Sequence, residues 1–420
     1  MEFKDKRIVI AGRGISGQSA YEVLSAIGAS CTFLDDGLPP AAELLVLSPG
    51  ISIFDPSLTE VKAKGIPIIG EIELGHVLCR RPIVAVTGTN GKTTVVKMIG
   101  RILACAGLNA AVCGNVGVPF SRVAHEDEYD IAVVEVSSFQ LESVRDFCPR
   151  VAVITNIAPD HLNRHKTMRA YIDAKLAIAR KQTAEDTLVL SADDIPLYAL
   201  ENFSPCAQVR YTTVNGVCEG AYALGESVWY CGEEVCKVSE IRAENAHTLK
   251  NALSAICACK ALGVENGAIV AGLSAFEQDA HRLHLSAEKG GKKFYNDSKG
   301  TNVSATLAAA ACMKGHTCLI AGGSDKGETY DDLFAGLPPQ IVRVAAMGQV
   351  ADALCAAAAR ARFHNIKAFP DLSSAFAWAI GGEEENILLS PASASFDAYS
   401  SYIERGEAFE RLVEAYHAKK

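Results

Sequence analysis

A glycine-rich turn that ends in lysine and threonine carries the clearest chemical signal of this sequence. The turn, Thr87-Gly-Thr-Asn-Gly-Lys-Thr93, follows the apolar run Ile83-Val-Ala-Val86. This order predicts a buried strand, a loop whose backbone N–H groups point inward, and a helix that begins near Lys92. The loop amides, the helix N-terminus and the Lys92 ammonium favour a phosphate, and the Thr93 hydroxyl suits Mg²⁺. We predict a nucleoside triphosphate site, although Val86 stands where the usual P-loop has glycine.

Polar side chains also follow two predicted strands downstream of this turn. Glu135 ends an apolar run that begins at Ile131, and Asp160 and His161 come shortly after the run that ends at Thr155. Side chains at the carboxyl ends of parallel strands face the ligand crevice, where a carboxylate suits Mg²⁺. Taken singly, Glu135 could be an exposed strand end and His161 a packed residue, but their common placement favours a binding role.

Lys175 lies on a helix predicted over about residues 170–181, near these groups in sequence. A charged lysine beside a metal site would repel the cation. A desolvated, neutral lysine can instead add carbon dioxide and become a carbamate, an oxygen ligand of the kind that Mg²⁺ prefers. The sequence leaves this open, because a solvated helix lysine is the alternative.

The first block of the chain alternates strand-like and helix-like stretches, which predicts a small parallel sheet. Its first turn, Gly12-Arg-Gly-Ile-Ser-Gly17, matches the G-x-G-x-x-G fingerprint, and Asp35 ends the second predicted strand, where an NAD ribose ligand would lie. The motif indicates only a diphosphate on a helix N-terminus, which a nucleotide-sugar would supply as well. A dinucleotide-dependent oxidoreductase therefore stays an alternative.

Length and alternation together predict three α/β domains in series, over residues 1–81, 82–277 and 278–420, because 420 residues are many for one core. The second block adds a β-rich segment and helices over 246–262 and 267–276. The third opens on a hairpin, with strands over 283–287 and 292–296, and ends in a helix over 396–416.

Composition excludes several function classes. A net charge of −9 and a pI near 5.6 argue against nucleic-acid or anionic-membrane partners. We find neither a signal peptide nor an apolar run long enough for membrane insertion. The fourteen cysteines are scattered without a Cys-x-x-Cys pair, which is typical of free thiols in a reducing compartment, so we expect a cytoplasmic protein.

The third block contains loops that mix glycine, serine and a cation beside predicted strands. They are His281-Arg282, Asn296-Asp-Ser-Lys-Gly-Thr-Asn302, Ala321-Gly-Gly-Ser-Asp-Lys-Gly327 and Ser390-Pro-Ala-Ser-Ala-Ser-Phe396. Positive charge from Arg282, Lys299 and Lys326 would suit a phosphate and a carboxylate together. Each loop could also be an ordinary turn.

Taken together, these motifs resemble the Mur ligases of bacterial cell-wall synthesis. The matching segments are Gly70-Glu-Ile-Glu-Leu74, Thr87-Gly-Thr-Asn-Gly-Lys-Thr93, Gly114-Asn-Val-Gly117, Glu135-Val-Ser-Ser-Phe-Gln140, Asp160-His161, Lys175, Asn296-Asp-Ser-Lys-Gly-Thr-Asn302 and Ser390-Pro-Ala-Ser-Ala-Ser-Phe-Asp397. The P-loop variant and the Asp-His pair resemble the whole superfamily, including folylpolyglutamate synthases, whereas the last two segments resemble its D-glutamate-adding branch. The resemblance implies an α/β, three-domain architecture with Rossmann-like first and last domains around a P-loop domain.

The resemblance also implies a role for each matching residue. ATP would contact Gly88, Thr89, Asn90, Gly91, Lys92, Thr93, Thr94, Asn251, Arg282 and Asp297. Two Mg²⁺ ions would be held by Thr93, Glu135, His161 and a carbamylated Lys175. UDP-N-acetylmuramoyl-L-alanine would contact Ser16, Ser48, Gly50, Asn115, Gln140 and His161, and D-glutamate Lys299, Thr301, Lys326, Ser395, Phe396 and Tyr402. The catalytic residues would be Lys92, His161, Lys175, Lys299 and Lys326 in an enzyme expected to be a monomer.

The implied reaction is an ATP-dependent amide ligation. A substrate carboxylate would attack the γ-phosphate of ATP to give an acyl phosphate and ADP, and the amine of D-glutamate would then displace phosphate. Two positions depart from the family: Asp36-Gly37 stands where an arginine usually grips the UDP end, and His247-Thr248 replaces His-Asn near the nucleotide. Another amide ligase of the superfamily and a non-catalytic P-loop binding protein stay as alternatives.

Overall fold

Three β-sheets organise the chain in the computed structural model, which describes residues 2–195, 200, 207–243, 245–325, 327 and 329–416. The chain divides into two compact units, Met1–Phe276 and Glu277–Lys420. Two of the sheets belong to the first unit and the third sheet to the second. No helix in these described ranges is both long and apolar enough to cross a membrane. Lys326 falls outside the described residues.

The amino-terminal sheet is the small parallel sheet that the sequence predicts, with strand order β2-β1-β3-β4. Its elements are β1 (Arg7–Ala11), α1 (Ile15–Ile27), β2 (Ser30–Phe33), β3 (Leu44–Leu47), α2 (Thr59–Ala63), β4 (Ile68–Gly70) and α3 (Glu71–Leu78). Helix α1 begins directly after Gly14 and ends at Gly28, whose φ of 97° suits glycine.

The second sheet has the order β13-β12-β11-β10-β9-β8-β5-β7-β6, which places β5 well inside it. Its elements are β5 (Ile83–Thr87), α4 (Lys92–Cys105), β6 (Ala110–Gly114), α5 (Phe120–Glu126), β7 (Ile131–Glu135), α6 (Ser138–Leu141), β8 (Val151–Ile154), α7 (Leu162–His165), α8 (Met168–Leu176), β9 (Thr187–Ser191), β10 (Gln208–Thr213), β11 (Gly220–Leu224), β12 (Ser227–Tyr230), β13 (Glu233–Lys237), α9 (Ala246–Ala261) and α10 (Asn266–Ser274). Strands β5, β7 and β8 run parallel and are fully buried, so their carboxyl ends meet at one edge.

The third sheet has the order β14-β15-β19-β16-β17-β18, and its antiparallel pair is β14 with β15. Its elements are β14 (His284–Lys289), β15 (Lys292–Asn296), α11 (Val303–Ala311), β16 (Thr317–Gly322), α12 (Asp331–Gly336), β17 (Ile341–Met347), α13 (Ala351–Arg360), β18 (Ile366–Phe369), α14 (Leu372–Ile380), β19 (Asn386–Leu389) and α15 (Tyr402–Ala415). The prediction that the last helix begins at Phe396 was wrong. Helix α15 begins at Tyr402, because the Ser401 side chain accepts a hydrogen bond from the Glu404 amide and caps it there.

Helix α3 joins the first sheet to the second through two buried carboxylates. Glu71 accepts a hydrogen bond from the Ser121 amide at 2.7 Å, and Glu73 accepts three from the amides of Arg145, Asp146 and Phe147 at 2.8 to 3.2 Å. Both carboxylates are about 2% exposed. The motif Gly70-Glu-Ile-Glu-Leu74 therefore fixes how the two sheets of the first unit meet.

Candidate active site

The loop between β5 and α4 has the strand, turn and helix that the sequence predicts. Gly88 and Gly91 adopt φ angles of 148° and 84°, and α4 begins at Lys92. A Cβ on Gly88 would lie 1.9 Å from the Thr155 hydroxyl, and one on Gly91 would lie 2.4 Å from Oδ1 of Asn251. Both positions therefore require glycine, and the second places Asn251 of α9 against the loop.

Residues that follow β8 hold this loop in shape. The Asn90 amide donates to Oδ1 of Asn156 at 2.9 Å, and the Thr155 hydroxyl donates to the Asn90 carbonyl at 2.6 Å. The Thr89 hydroxyl lies 2.9 Å from the Tyr171 hydroxyl of α8. The loop is thus preorganised by its neighbours, which lowers the cost of ordering it around a phosphate.

The side-chain nitrogens of two lysines converge on one carbonyl of the loop. Lys92 Nζ donates to the carbonyls of Gly88 and Thr89 at 2.9 Å each, and Lys175 Nζ donates to the Gly88 carbonyl at 2.7 Å. Lys175 is 1% exposed and lies 4.5 Å from the Tyr171 ring. Burial first, and then the charge of Lys92, lower the pKa of Lys175 well below its usual range, while Asp160 opposes the shift. Lys175 is therefore the buried amine, not the solvated helix lysine.

Glu135 presents one carboxylate oxygen that has no hydrogen-bond partner among the described residues. Its Oε1 accepts a hydrogen bond from Asn115 Nδ2 at 2.8 Å, whereas Oε2 is buried and accepts none from the part of the chain that the structure describes. A buried, unsatisfied carboxylate oxygen is costly unless a cation or donor supplies a contact, so this side chain fits a metal ligand. Among the described residues no cluster of three histidine, cysteine or acidic side chains forms a ready-made metal site. A cation here would need the Thr93 hydroxyl, a carbamate or phosphate oxygens as well.

The Asp160-His161 pair forms a strained turn after β8. His161 has a φ of 56°, and its amide donates to Oδ1 of Asp160 at 2.9 Å. Its ring lies 4.8 Å from the ring of Phe139, and Nε2 lies 3.7 Å from Oδ2 of Asp160. Positive φ at a residue other than glycine often accompanies a functional site. Asp160 also acts on Lys175 electrostatically, a role that the sequence analysis did not assign to it.

Ser16 and Ser48, two of the three predicted UDP-site residues of the first sheet, lie at its glycine-rich turn. The Ser48 hydroxyl donates to the Gly12 carbonyl at 3.3 Å, Ser16 lies in the first turn of α1, and Gly50 is exposed. Arg13 supplies a cation at the strand ends, with Nη2 at 2.6 Å from Oδ1 of Asp36.

Gln140 is engaged in helix capping. Its Oε1 accepts hydrogen bonds from the amide and the hydroxyl of Ser137 at 2.9 Å each, which completes a capping box at the start of α6. The side chain is 4% exposed. The Gln140 side chain is therefore fixed in place. A substrate that contacts it must match its position, which favours selection of substrates by their shape.

In the second unit, Arg282 lies between two residues with left-handed backbone. His281 and Leu283 have φ angles of 65° and 45°. Asp297 stabilises this turn, because its Oδ1 accepts a hydrogen bond from the Leu283 amide at 3.1 Å while Oδ2 accepts one from Ser390 at 2.7 Å. Burial raises the pKa of Asp297 to about 6 against the opposing effect of Arg282. The position of Arg282 thus depends on two residues with strained backbone conformations.

The predicted D-glutamate residues also lie in the second unit. Lys299 Nζ lies 3.1 Å from Oδ2 of Asp279 and 5.7 Å from the Tyr402 ring. Phe396 is 74% exposed, whereas Ser395 is buried. Thr301 is half-buried, and Lys326 cannot be placed because it lies outside the described residues.

Sequence reasoning missed Arg405, which is 1% exposed and connects two loops of the second unit. Its guanidinium donates to the hydroxyl and carbonyl of Ser298 at 3.0 and 2.9 Å, and to the carbonyls of Ser393 and Ala394 at 3.1 and 3.0 Å. Burial lowers the pKa of Arg405 to about 10, so it stays charged at neutral pH. The side chain therefore holds the Asn296–Asn302 segment against the Ser390–Phe396 segment.

We expect Arg405→Met to lower the free energy of unfolding by at least about 3 kcal/mol, because several buried carbonyls lose their donor. Urea denaturation of the whole chain measures this. Arg411→Met on the same helix is the control, since its guanidinium is exposed and lies 3.9 Å from Glu407. An equal effect of the two substitutions would contradict the structural role of Arg405.

Comparison with known proteins agrees with this geometry. Residues 86–259 match the model of the Mur ligase middle domain. The chain is 35% identical over 450 residues to the UDP-N-acetylmuramoylalanine–D-glutamate ligase of Lachnoclostridium phytofermentans, covering 99% of each chain. The chain belongs to the UDP-N-acetylmuramoylalanine–D-glutamate ligase family. A family member from Streptococcus pneumoniae strain P1031 is 36% identical over 443 residues, with 97% of each chain covered.

The fold of this ligase family extends to more distant solved structures. A pseudomurein peptide ligase type C from Methanothermus fervidus superposes with a TM-score of 0.66 at 17% identity, covering 98% of this chain and 99% of that one. At this identity the similarity shows the fold alone. Together with the family model, it confirms the Mur ligase architecture that the motifs predict.

Proposed function

We propose that this chain joins the amine of D-glutamate to the carboxylate of UDP-N-acetylmuramoyl-L-alanine, with conversion of ATP to ADP and phosphate. The observation that carries the proposal is 35% sequence identity, over 99% of both chains, to a curated UDP-N-acetylmuramoylalanine–D-glutamate ligase. The converging Lys92 and Lys175 and the open oxygen of Glu135 support it, because they suit phosphoryl transfer.

The reaction needs an activated acid, because a carboxylate is a poor electrophile. We propose that the substrate carboxylate attacks the γ-phosphate, and that Lys92 neutralises charge that develops on the transferring group. Mg²⁺, when bound, would screen the phosphate charge, with Thr93, Glu135, His161 and a Lys175 carbamate as the candidate ligands for two ions. The amine then attacks the acyl carbon, and phosphate leaves.

We assign the substrate ends to different parts of the chain. The UDP end would lie at the glycine-rich turn with Ser16 and at the loop after β3 with Ser48 and Gly50, and the muramoyl end would lie near Asn115, Gln140 and His161. Lys299, Thr301, Lys326, Ser395, Phe396 and Tyr402 would receive D-glutamate. The exposed ring of Phe396 and the cation of Lys299 suit a small amino acid with two carboxylates.

A panel of amino acids tests the proposal. The purified protein is given ATP, Mg²⁺ and UDP-N-acetylmuramoyl-L-alanine, and phosphate release is measured with D-glutamate, L-glutamate, D-alanine, L-lysine and diaminopimelate. We expect turnover with D-glutamate only, because a site built for two carboxylates and one configuration rejects the others. Turnover with another amino acid would move the chain to a different amide ligase, and tight NADH binding without turnover would favour an oxidoreductase.

We also propose that the enzyme acts as a monomer in the cytoplasm. The ATP that the reaction consumes is a cytoplasmic metabolite. The thirteen cysteines in the described ranges are free thiols, in keeping with a reducing compartment. Light scattering of the purified protein measures its oligomeric state.

A further inference from the structure

We propose that Arg164 is a positioning residue for the UDP-linked substrate, because it ties the UDP-site loop of the first sheet to the catalytic segment of the second. The inference rests on the proposed function. Arg164 lies on α7, three residues after His161, and its side chain is 14% exposed. Its position in sequence gives no sign of this role, since the residues it holds lie far away in the chain.

One side of the guanidinium holds the loop that follows β3. Nη1 donates to the Pro49 carbonyl at 2.9 Å, and Nη2 donates to the Ile51 carbonyl at 3.2 Å. These carbonyls flank Gly50 and follow Ser48, the two residues assigned to the UDP end. Arg164 thus fixes the backbone on which those contacts lie.

The other side of the guanidinium is fixed by the segment around α6. Nη2 lies 2.7 Å from Oε2 of Glu142, and the guanidinium carbon lies 4.4 Å from the centre of the Phe139 ring. Glu142 is held in turn by His165, whose Nδ1 lies 3.3 Å from Oε1. This segment also contains Gln140, which is assigned to the muramoyl end. The planar fork of arginine meets both sides at once, a geometry that lysine cannot reproduce.

The same contacts continue to the phosphate loop. The His165 ring lies 5.3 Å from the Tyr171 ring, and the Tyr171 hydroxyl lies 2.9 Å from the Thr89 hydroxyl. A substrate that is anchored by its UDP end must place its distant carboxylate in line with the γ-phosphate. A misplacement of about 1 Å can cost on the order of a hundredfold in rate. Arg164 sets this distance without touching the reacting atoms.

Steady-state kinetics of Arg164→Lys tests the role. We expect KM for UDP-N-acetylmuramoyl-L-alanine to rise about tenfold or more and kcat to fall, while KM for ATP and for D-glutamate stays within about twofold and the melting temperature is little changed. Calorimetric binding of the UDP-linked substrate without ATP should weaken by a similar factor. Glu142→Gln keeps the carbonyl contacts of Arg164 but removes its charged partner, so a smaller rise is expected. Arg169→Lys on the neighbouring helix α8 is the control, since its side chain is 46% exposed.

The outcomes separate this role from general support of the fold. Equal rises in all three KM values together with a fall in the melting temperature would overturn it, and so would unchanged binding of the UDP-linked substrate by Arg164→Lys. If wild-type protein binds the UDP-linked substrate but does not turn over with D-glutamate, the proposed function fails. The calorimetric comparison of the two arginine variants then still decides whether Arg164 positions the substrate.

Discussion

Lys92→Ala is expected to lower kcat/KM for ADP formation about a thousandfold, the effect of removing a preorganised charge from a phosphoryl-transfer site. Lys92 is the cation at the start of α4. Its ammonium donates hydrogen bonds to the carbonyls of Gly88 and Thr89 in the loop, at 2.9 Å each. A phosphate that enters the loop would attract this ammonium, and the loss cannot be offset by water in a partly buried site. Coupled measurement of ADP release gives the result.

Lys97→Ala is the matched control for this experiment, because Lys97 lies on the same helix and is exposed. It should keep near-normal activity. Near-normal ATP-dependent ligation by Lys92→Ala would remove the P-loop from the mechanism. Lys92 also lowers the pKa of Lys175. The pKa of Lys175 should therefore be higher in the alanine variant than in wild type. A raised pKa of Lys175 would indicate that the variant has lost a charge, not the structure of the loop.

Short, strongly patterned segments were predictable from sequence. The strands Ile83–Thr87 and Ile131–Glu135 follow the apolar runs from which they were predicted, because each run is continuous and ends in a polar residue. The edge strand β6 was missed, since its alanines and valine are only partly buried and give no clear period. Helix α14 of the second unit was also missed, because its mixture of serine, alanine and tryptophan gives no clear helical period.

Contacts between distant parts of the chain were not predictable. Arg405 bonds to Ser298, which lies 107 positions earlier, and Arg164 bonds to Pro49, which lies 115 positions earlier. An arginine on a helix has the same local sequence pattern whether its side chain is solvated or buried, so the pattern gives no sign of these roles. The burial of Lys175 was left open for the same reason, and only tertiary packing decides it.

Arg13 lies beside a position at which the sequence departs from the expected family pattern. The sequence has Asp36-Gly37 where an arginine is usual, and the structure places Arg13 beside these residues, 4.2 Å from the Phe33 ring. The carboxylates of Asp35 and Asp36 pair with this arginine, so a diphosphate would have to compete with them. Removal of the Arg13 cation or of the Asp35 and Asp36 carboxylates should therefore change the affinity for the UDP-linked substrate.

Lys175→Met is expected to lower ligation at least about a hundredfold, because it removes the carbamate proposed as an oxygen ligand of Mg²⁺. The chemistry needs a neutral amine: the nitrogen lone pair attacks the carbon of CO₂, a C–N bond forms, and one proton is released. Burial supplies that amine by lowering the pKa of Lys175. Carbon-13 NMR of wild-type protein in labelled bicarbonate should show a carbamate signal that the methionine variant lacks. Wild-type activity that does not respond to removal of CO₂, with no such signal, would contradict the carbamate.

The same substitution should stabilise the protein in buffer freed of CO₂. A lysine whose pKa is lowered on folding binds fewer protons in the native state than in the unfolded one, so it costs stability below the unfolded value of 10.5. That cost is largest below the folded pKa and fades as pH rises toward 10.5. Methionine has a similar volume and carries no charge, and Lys92 still donates to the Gly88 carbonyl. We therefore expect Lys175→Met to raise the free energy of unfolding by about 1 to 4 kcal/mol at neutral pH, with the gain shrinking at higher pH. A variant that is less stable than wild type at pH 7 would mean that the Lys175 amine stabilises the loop. The buried lysine would then contribute to folding stability and not only to the reaction.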